Sequence, residues 1–100
     1  LGKFFIINSA LKKHYIRNPE INFDLNKRMR DLFKLFSCKS AEECEKFWYK
    51  LMADVGLETN SKKLGIKKNS VLKLIKENIN YERLKNNPVI INNKIIDELF

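Results

Sequence analysis

The sequence predicts an all-α protein, a bundle of about five to six helices. Apolar residues recur at intervals of three and four along several stretches, which is the period of an amphipathic helix. Only three glycines and two prolines occur in 100 residues, which suits helices better than a loop-rich β-fold. Hydrophobic residues make up 44% of the chain, enough for a globular core. The length therefore indicates a single helical domain over residues 1–100.

The first segment, from Leu1 to about Ser9, is apolar on all sides and contains the run Phe4–Ile7. A helix of this kind is normally buried. The chain also begins with Leu rather than Met, with the helical pattern already under way. We therefore interpret it as a piece of a larger protein, whose preceding part would help to cover this helix.

A basic cluster follows, formed by Lys12, Lys13, His14 and Arg17. His14 is the only histidine and has no nearby acid to orient it as a general base, so we interpret the cluster as a solvated face. Leu11 and Tyr15 extend the apolar face of the first helix. Asn18-Pro19 then breaks the chain.

The second predicted helix has a single apolar stripe and is preceded by two candidate caps, Asn22 and Asp24. Lys27 and Asp31 are four residues apart and can pair on its polar side. The stripe consists of Leu25, Met29, Leu32, Phe33 and Phe36.

The third predicted helix opens with Ser40 and Glu43, which have the spacing of a capping box, and stops at Gly56. Its wide stripe predicts burial, and Trp48 is interpreted as core rather than as a stacking platform. The stripe consists of Ala41, Cys44, Phe47, Trp48, Leu51, Met52 and Val55.

A lysine-rich connector over residues 57–69 leads to the fourth helix. We expect Leu64 and Ile66 to pin this connector to the core; a phosphate cradle is the alternative, although one glycine is a weak signal for it. Asn69 or Ser70 is the expected cap of the fourth helix. That helix should turn Val71, Leu72, Ile75 and Ile79 inward.

The tail, Tyr81–Phe100, has a pattern typical of the C-terminal end of a helical domain. We predict a short helix over Tyr81–Lys85, a corner at Asn86–Pro88, an apolar strap over Val89–Ile91 and a last amphipathic helix. The apolar residues of that last helix are Ile95, Ile96, Leu99 and Phe100.

Charge and composition make some classes of function less favoured. The net charge is +8, but sixteen of the twenty basic residues are Lys, whereas proteins that read bases or clamp phosphates rely mainly on Arg for its bidentate hydrogen bonds. Nucleic acid is therefore not favoured as a partner. The longest apolar run is four residues, too short to span a membrane, and we expect no membrane as a partner. Cys38 and Cys44 lack metal-ligand spacing and predict reduced thiols in a cytoplasmic protein. No catalytic, cofactor-binding or metal-binding residue is assigned.

Three stretches resemble one family. Leu64-Gly65-Ile66, followed by a helix and by Asn80–Val89 (NYERLKNNPV), is similar to the C-terminal end of iron-containing (group III) alcohol dehydrogenases. Leu1–Phe5 with Asn8 resembles the helix that continues from that family's His-Gly metal motif. Lys46–Val55 leading to Gly56-Leu57 is similar to the helix before its Gly-Leu-Pro step, although Glu58 replaces the proline.

The resemblance implies the distal part of the helical domain of a two-domain enzyme with a dehydroquinate synthase-like fold. It also implies that the parent enzyme uses NAD(P) and a divalent metal, iron or zinc, held by an Asp and three His. None of these ligands is in this chain, and His14 matches none of them. The piece alone should be inactive, and its implied partner is the rest of the parent chain, with homo-oligomerisation left open. A free-standing basic helical module that binds nucleic acid or protein is the alternative.

Overall fold

The computed structural model describes residues 2–10, 16–17 and 24–100, and these residues confirm the all-α class. They contain six helices and no strand, although one antiparallel backbone pairing joins Ile16 to Val89. The expectations for Leu11, Lys12, Lys13, His14, Tyr15, Asn18-Pro19 and Asn22 lie outside the described residues. The helices are α1 (Gly2–Ser9), α2 (Leu25–Leu35), α3 (Ala41–Asp54), α4 (Lys68–Asn78), α5 (Tyr81–Leu84) and α6 (Asn93–Leu99).

The buried residues form two separate core clusters. The first core cluster joins α1, α2 and α3, and the second joins α4 and α6 with the residues around α5. Each is small, because the molecule extends only 18 Å along its shortest axis. The buried members of the first are Phe5, Leu25, Met29, Ala41, Cys44 and Val89; those of the second are Ile91, Ile95 and Ile96.

Helix α1 lies between the two clusters and contacts both. Phe5 is buried in the first cluster, Phe4 packs against the second, and Ile7 packs against both. The apolar character of α1 on all sides is therefore explained by contacts within this chain. Whether a preceding part of a larger protein also covers α1 stays a prediction. Gly2 brings α1 close to α3, since a Cβ there would lie 3.3 Å from the Glu45 Cα.

Asp24, one of the two predicted candidates, caps the start of α2. The Asp24 side chain accepts a hydrogen bond from the Lys27 N–H at 3.0 Å, and the predicted Lys27–Asp31 pair is present at 3.8 Å. The helix ends with Ser37 at φ 54°. Leu25 and Met29 of the predicted stripe are buried, whereas Leu32 is exposed.

Helix α3 is capped as predicted, but its apolar stripe is only partly buried. Ser40 accepts from the Glu43 N–H at 3.2 Å, while the Glu43 carboxylate accepts from the Lys39 N–H at 2.7 Å, one residue before the expected donor. Gly56 ends the helix at φ 80°. Ala41 and Cys44 are buried and Trp48 is half-buried, so the prediction of a buried stripe fails towards its end, where Phe47, Leu51 and Val55 are exposed.

The predicted cap of α4 was wrong. The helix begins at Lys68, and its N-cap, Lys67, makes no side-chain capping bond. Asn69 and Ser70 instead lie within the first turn. Leu72, Ile75 and Ile79 pack against the second core cluster, as expected.

The tail has the predicted order of short helix, corner, strap and last helix. Asn80 caps α5 and Asn92 caps α6, each accepting a backbone N–H with its side chain. In the strap, Val89 enters the first core cluster and Ile91 the second, so the strap joins the two clusters as α1 does. Ile95 and Ile96 are buried, whereas Phe100 is exposed.

Candidate functional site

The described residues contain no group of three His, Cys, Asp or Glu side chains that could hold a metal ion. His14, the chain's only histidine, lies outside them. Three features remain for a functional interpretation. They are a junction between the end of α1 and the tail, a cavity lined by the start of α1, by α3 and by the last helices, and a lysine-rich turn on the connector.

The junction pairs two asparagines that are 79 residues apart in the sequence. The Asn8 amide donates to the Asn87 Oδ1 at 3.1 Å, and the Asn87 amide donates back to the Asn8 Oδ1 at 2.9 Å. The Asn87 amide also donates to the Val89 carbonyl at 2.7 Å. This network is partly buried, so the pairing fixes the corner of the tail against the end of α1.

Arg17 also holds this corner. Its backbone N–H donates to the Pro88 carbonyl at 2.8 Å, and its guanidinium Nε donates to the Asn87 carbonyl at 3.3 Å. The interpretation of Arg17 as part of a solvated face was therefore wrong. Nothing in its local sequence indicates this role, because the acceptors come from the other end of the chain.

The cavity lies between α1, α3 and the last helices and has a volume of about 550 Å³. Apolar side chains from α3, α4 and α6 form most of its wall, and polar groups come from Lys3, Glu58, Thr59 and Ser61. Lys3 donates to the Glu98 carbonyl at 3.4 Å, and Glu58 pairs with Lys63 at 3.7 Å. None of the described residues that line the cavity is His or Cys, and most of its surface is apolar.

The connector is not pinned to the core by Leu64 and Ile66, as the sequence had suggested. Leu64 is 58% exposed and Ile66 is 38% exposed. The backbone N–H groups of residues 62–66 all donate within the connector itself, to acceptors on Asn60, Ser61 and Lys62. Because these donors are already used, the alternative of a backbone phosphate cradle in this turn is not supported.

Cys44 is a structural residue of the first core cluster. Cys44 is buried and Cys38 is half-buried, and both are free thiols. Burial, together with the neighbouring Cys38 thiol, raises the pKa of Cys44 to about 12. Since the thiolate is the nucleophile and the metal ligand, Cys44 is inert in both roles near neutral pH.

Comparison of the chain with protein-family models, curated proteins and solved structures finds no match. None of the described helices is long and apolar enough to cross a membrane.

Proposed function

We propose that the chain is the distal part of the helical domain of a metal-dependent, NAD(P)-linked alcohol dehydrogenase of the iron-containing group. The observation that carries the proposal is the junction. Asn8 belongs to the first stretch that resembles this family, and Asn87 belongs to the tail that resembles it. Their reciprocal hydrogen bonds join these two stretches in the folded chain.

Two glycines quoted for the resemblance also have physical reasons. Gly2 allows the close approach of α1 to the Glu45 backbone. Gly65 adopts φ 70° at the end of the turn 61–65, which a residue with a Cβ adopts only at a cost. These two observations support the proposal, because each gives a structural reason for a glycine in a stretch that resembles the family.

The proposed role in the parent enzyme is structural. The residues that the structure describes form no metal site, and the sequence has no glycine-rich nucleotide loop, so no chemical step is assigned to them. Its helices would form one wall of the substrate cleft and support the helices that hold the metal. The proposed dehydroquinate synthase-like fold and a cytoplasmic location belong to the same proposal.

The sequence that precedes Leu1 in the gene tests this proposal directly. We expect a His-Gly motif immediately before Leu1, and an Asp and two further His upstream of it. A longer chain that includes these residues, purified with Fe²⁺ or Zn²⁺, should then oxidise alcohols with NAD⁺ or NADP⁺, whereas the 100-residue chain alone should not. A gene without the His-Gly motif at that place would refute the proposal.

A helical protein-interaction module is the second candidate, because Phe47, Leu51 and Val55 leave an apolar part of α3 exposed. In the first proposal, the same residues would be covered by other helices of the parent chain. The upstream sequence separates the two candidates. If the His-Gly motif is absent and the 100-residue chain binds a protein partner through α3, the second candidate is favoured.

A further inference from the structure

The turn Lys62–Lys68 has an unusual sequence, in which two aliphatic residues lie between two pairs of lysines (KKLGIKK). We call it the lysine turn. All seven of its residues are exposed. Folding alone does not explain the exposure of Leu64 and Ile66, since neither contributes to a core cluster.

The lysine turn is well ordered by its own backbone. Residues 61–65 form one helical turn, which Gly65 ends at φ 70°. The Gly65 N–H donates to the Lys62 carbonyl at 3.1 Å, and the Ile66 N–H donates to the Ser61 carbonyl at 3.0 Å. Leu64 and Ile66 are thus held near each other on a short, closed piece of backbone, with lysines on both sides.

The charges of the turn are largely uncompensated. Lys63 pairs with Glu58 at 3.7 Å, but the ammonium groups of Lys62, Lys67 and Lys68 make no ion pair or hydrogen bond to the residues that the structure describes. A complementary partner is therefore anionic. It must also accept aliphatic side chains, which an anionic lipid surface does at the level of its headgroups.

A nucleic acid fits this surface less well. Proteins hold single-stranded nucleic acid by combining basic groups with aromatic side chains on which the bases stack. The lysine turn contains no aromatic residue and no arginine. Its Leu and Ile would gain nothing from contact with a phosphate backbone, whereas both gain from entering the interface of a bilayer.

We propose that the lysine turn is a peripheral attachment site for anionic lipid surfaces. Leu64 and Ile66 enter the headgroup region, and the four lysines lie against the anionic headgroups. Such attachment needs no membrane-spanning helix. Every residue that it uses is in this chain, so it is tested on the 100-residue chain itself, and its failure would leave the proposed enzymatic origin untouched.

Sedimentation with lipid vesicles tests the proposal. We expect the chain to bind vesicles that contain phosphatidylserine and not vesicles of phosphatidylcholine alone, and to be released by high salt. Each lysine near the surface should contribute roughly fivefold to partitioning, so Lys62→Gln with Lys67→Gln should weaken binding roughly 25-fold. Replacing Leu64 and Ile66 with Ser should weaken binding without unfolding the chain, since both are already exposed.

The matched control is Lys46→Gln with Lys94→Gln, which removes the same charge from two exposed positions outside the turn. This control should bind nearly as well as the parent chain. Equal losses for the two lysine pairs would overturn the proposal, because net charge alone would then explain binding. Unchanged binding of the Leu64 and Ile66 variant, absence of binding, or tighter binding to a single-stranded oligonucleotide at the same ionic strength would also overturn it.

Discussion

Ser37 and Gly56 end α2 and α3 in the same way, and the difference between their side chains has an energetic consequence. At each end, the residue in the left-handed region donates its N–H to a carbonyl three residues back, and the next residue donates to one five residues back. This is the Schellman motif, which usually employs glycine. Gly56 meets that requirement at φ 80°, whereas Ser37 adopts φ 54° with a Cβ.

Replacing Ser37 with Gly should therefore stabilise the protein. The left-handed conformation costs a residue with a Cβ roughly 1–2 kcal/mol, and glycine loses part of that gain through greater freedom in the unfolded chain. We expect Ser37→Gly to raise the free energy of unfolding by about 0.5–1 kcal/mol in urea titrations.

The reverse change, Gly56→Ala, is the control for Ser37→Gly and should lower the free energy of unfolding by about 1 kcal/mol. A Cβ at Gly56 meets nothing within 4 Å, so backbone strain is the only cost. A stabilising Gly56→Ala would contradict the explanation.

Cys44 should make stability fall in alkaline solution. Burial and the neighbouring Cys38 raise its pKa from 9.0 to about 12. Between these values the unfolded chain loses the thiol proton while the folded chain keeps it, so the free energy of unfolding falls as pH rises, by at most about 1.4 kcal/mol per pH unit. The fall begins near pH 9 and ends near pH 12.

The Cys44→Ala variant isolates this thiol effect from the titration of lysine and tyrosine. Urea titrations at a series of pH values should show a weaker pH dependence for the variant than for the parent chain, although the variant is less stable overall. Identical slopes would show that the Cys44 thiol does not couple to folding.

The Asn8–Asn87 pair should stabilise the fold beyond the sum of its members. Asn87→Ala removes three hydrogen bonds and should cost about 2 kcal/mol, with a coupling to Asn8→Ala of about 1 kcal/mol in a double-mutant cycle. The neighbouring Asn86 is exposed, so Asn86→Ala should change stability by less than about 0.5 kcal/mol. A coupling near zero would mean that the junction does not hold the tail.

At the scale of the element, the helices with clear apolar periods and caps were predictable, and the exceptions have physical causes. Asp24 and Ser40 cap α2 and α3 because each directly precedes its helix. Asn69 and Ser70 are equally good caps by residue type, but α4 begins at Lys68. The free N–H groups at the start of a helix are accepted by the side chain of the residue just before it. Asn69 and Ser70 lie inside the first turn, so neither can take that role.

A comparison of two alanine variants tests this difference. Asp24→Ala should lower the free energy of unfolding by about 1 kcal/mol, because it removes the bond to the Lys27 N–H. Ser70→Ala should change it by less than about 0.5 kcal/mol, since an exposed serine without a cap role is replaced by a better helix former. Thermal unfolding followed by circular dichroism measures both. Equal losses would indicate that Ser70 does cap α4.

Burial along an element was harder to predict than its existence. The stripe of α3 is apolar to Val55, yet the helix continues past the elements that cover Ala41 and Cys44. The spacing of apolar residues in the sequence identifies the apolar face of a helix. How much of that face is buried depends on how far the neighbouring elements extend along it. The connector shows the same limit, because Leu64 and Ile66 are apolar but remain exposed.

At the scale of the whole molecule, the division into two core clusters could not be read from the sequence. Helix periods indicate which residues turn inward, but not which helices share a core. Residues far apart in sequence connect the beginning of the chain to its tail: Asn8 contacts Asn87, and Ile16 pairs with Val89. The apolar character of α1 on all sides was the one sequence signal of its central position, since only a helix with neighbours on opposite sides needs it.

The central position of α1 predicts that the two clusters unfold together. Ile7 packs against both clusters, so Ile7→Ala should cost about 2 kcal/mol and should raise amide exchange in α2 and α6 alike. Met29 belongs to the first cluster and Leu99 packs on the second, so alanine at either should raise exchange through sub-global opening mainly around its own cluster. Native-state hydrogen exchange resolves these patterns. If Ile7→Ala accelerates exchange in one cluster and leaves the other protected, α1 does not couple them, and the strap Val89–Ile91 would be the remaining connection.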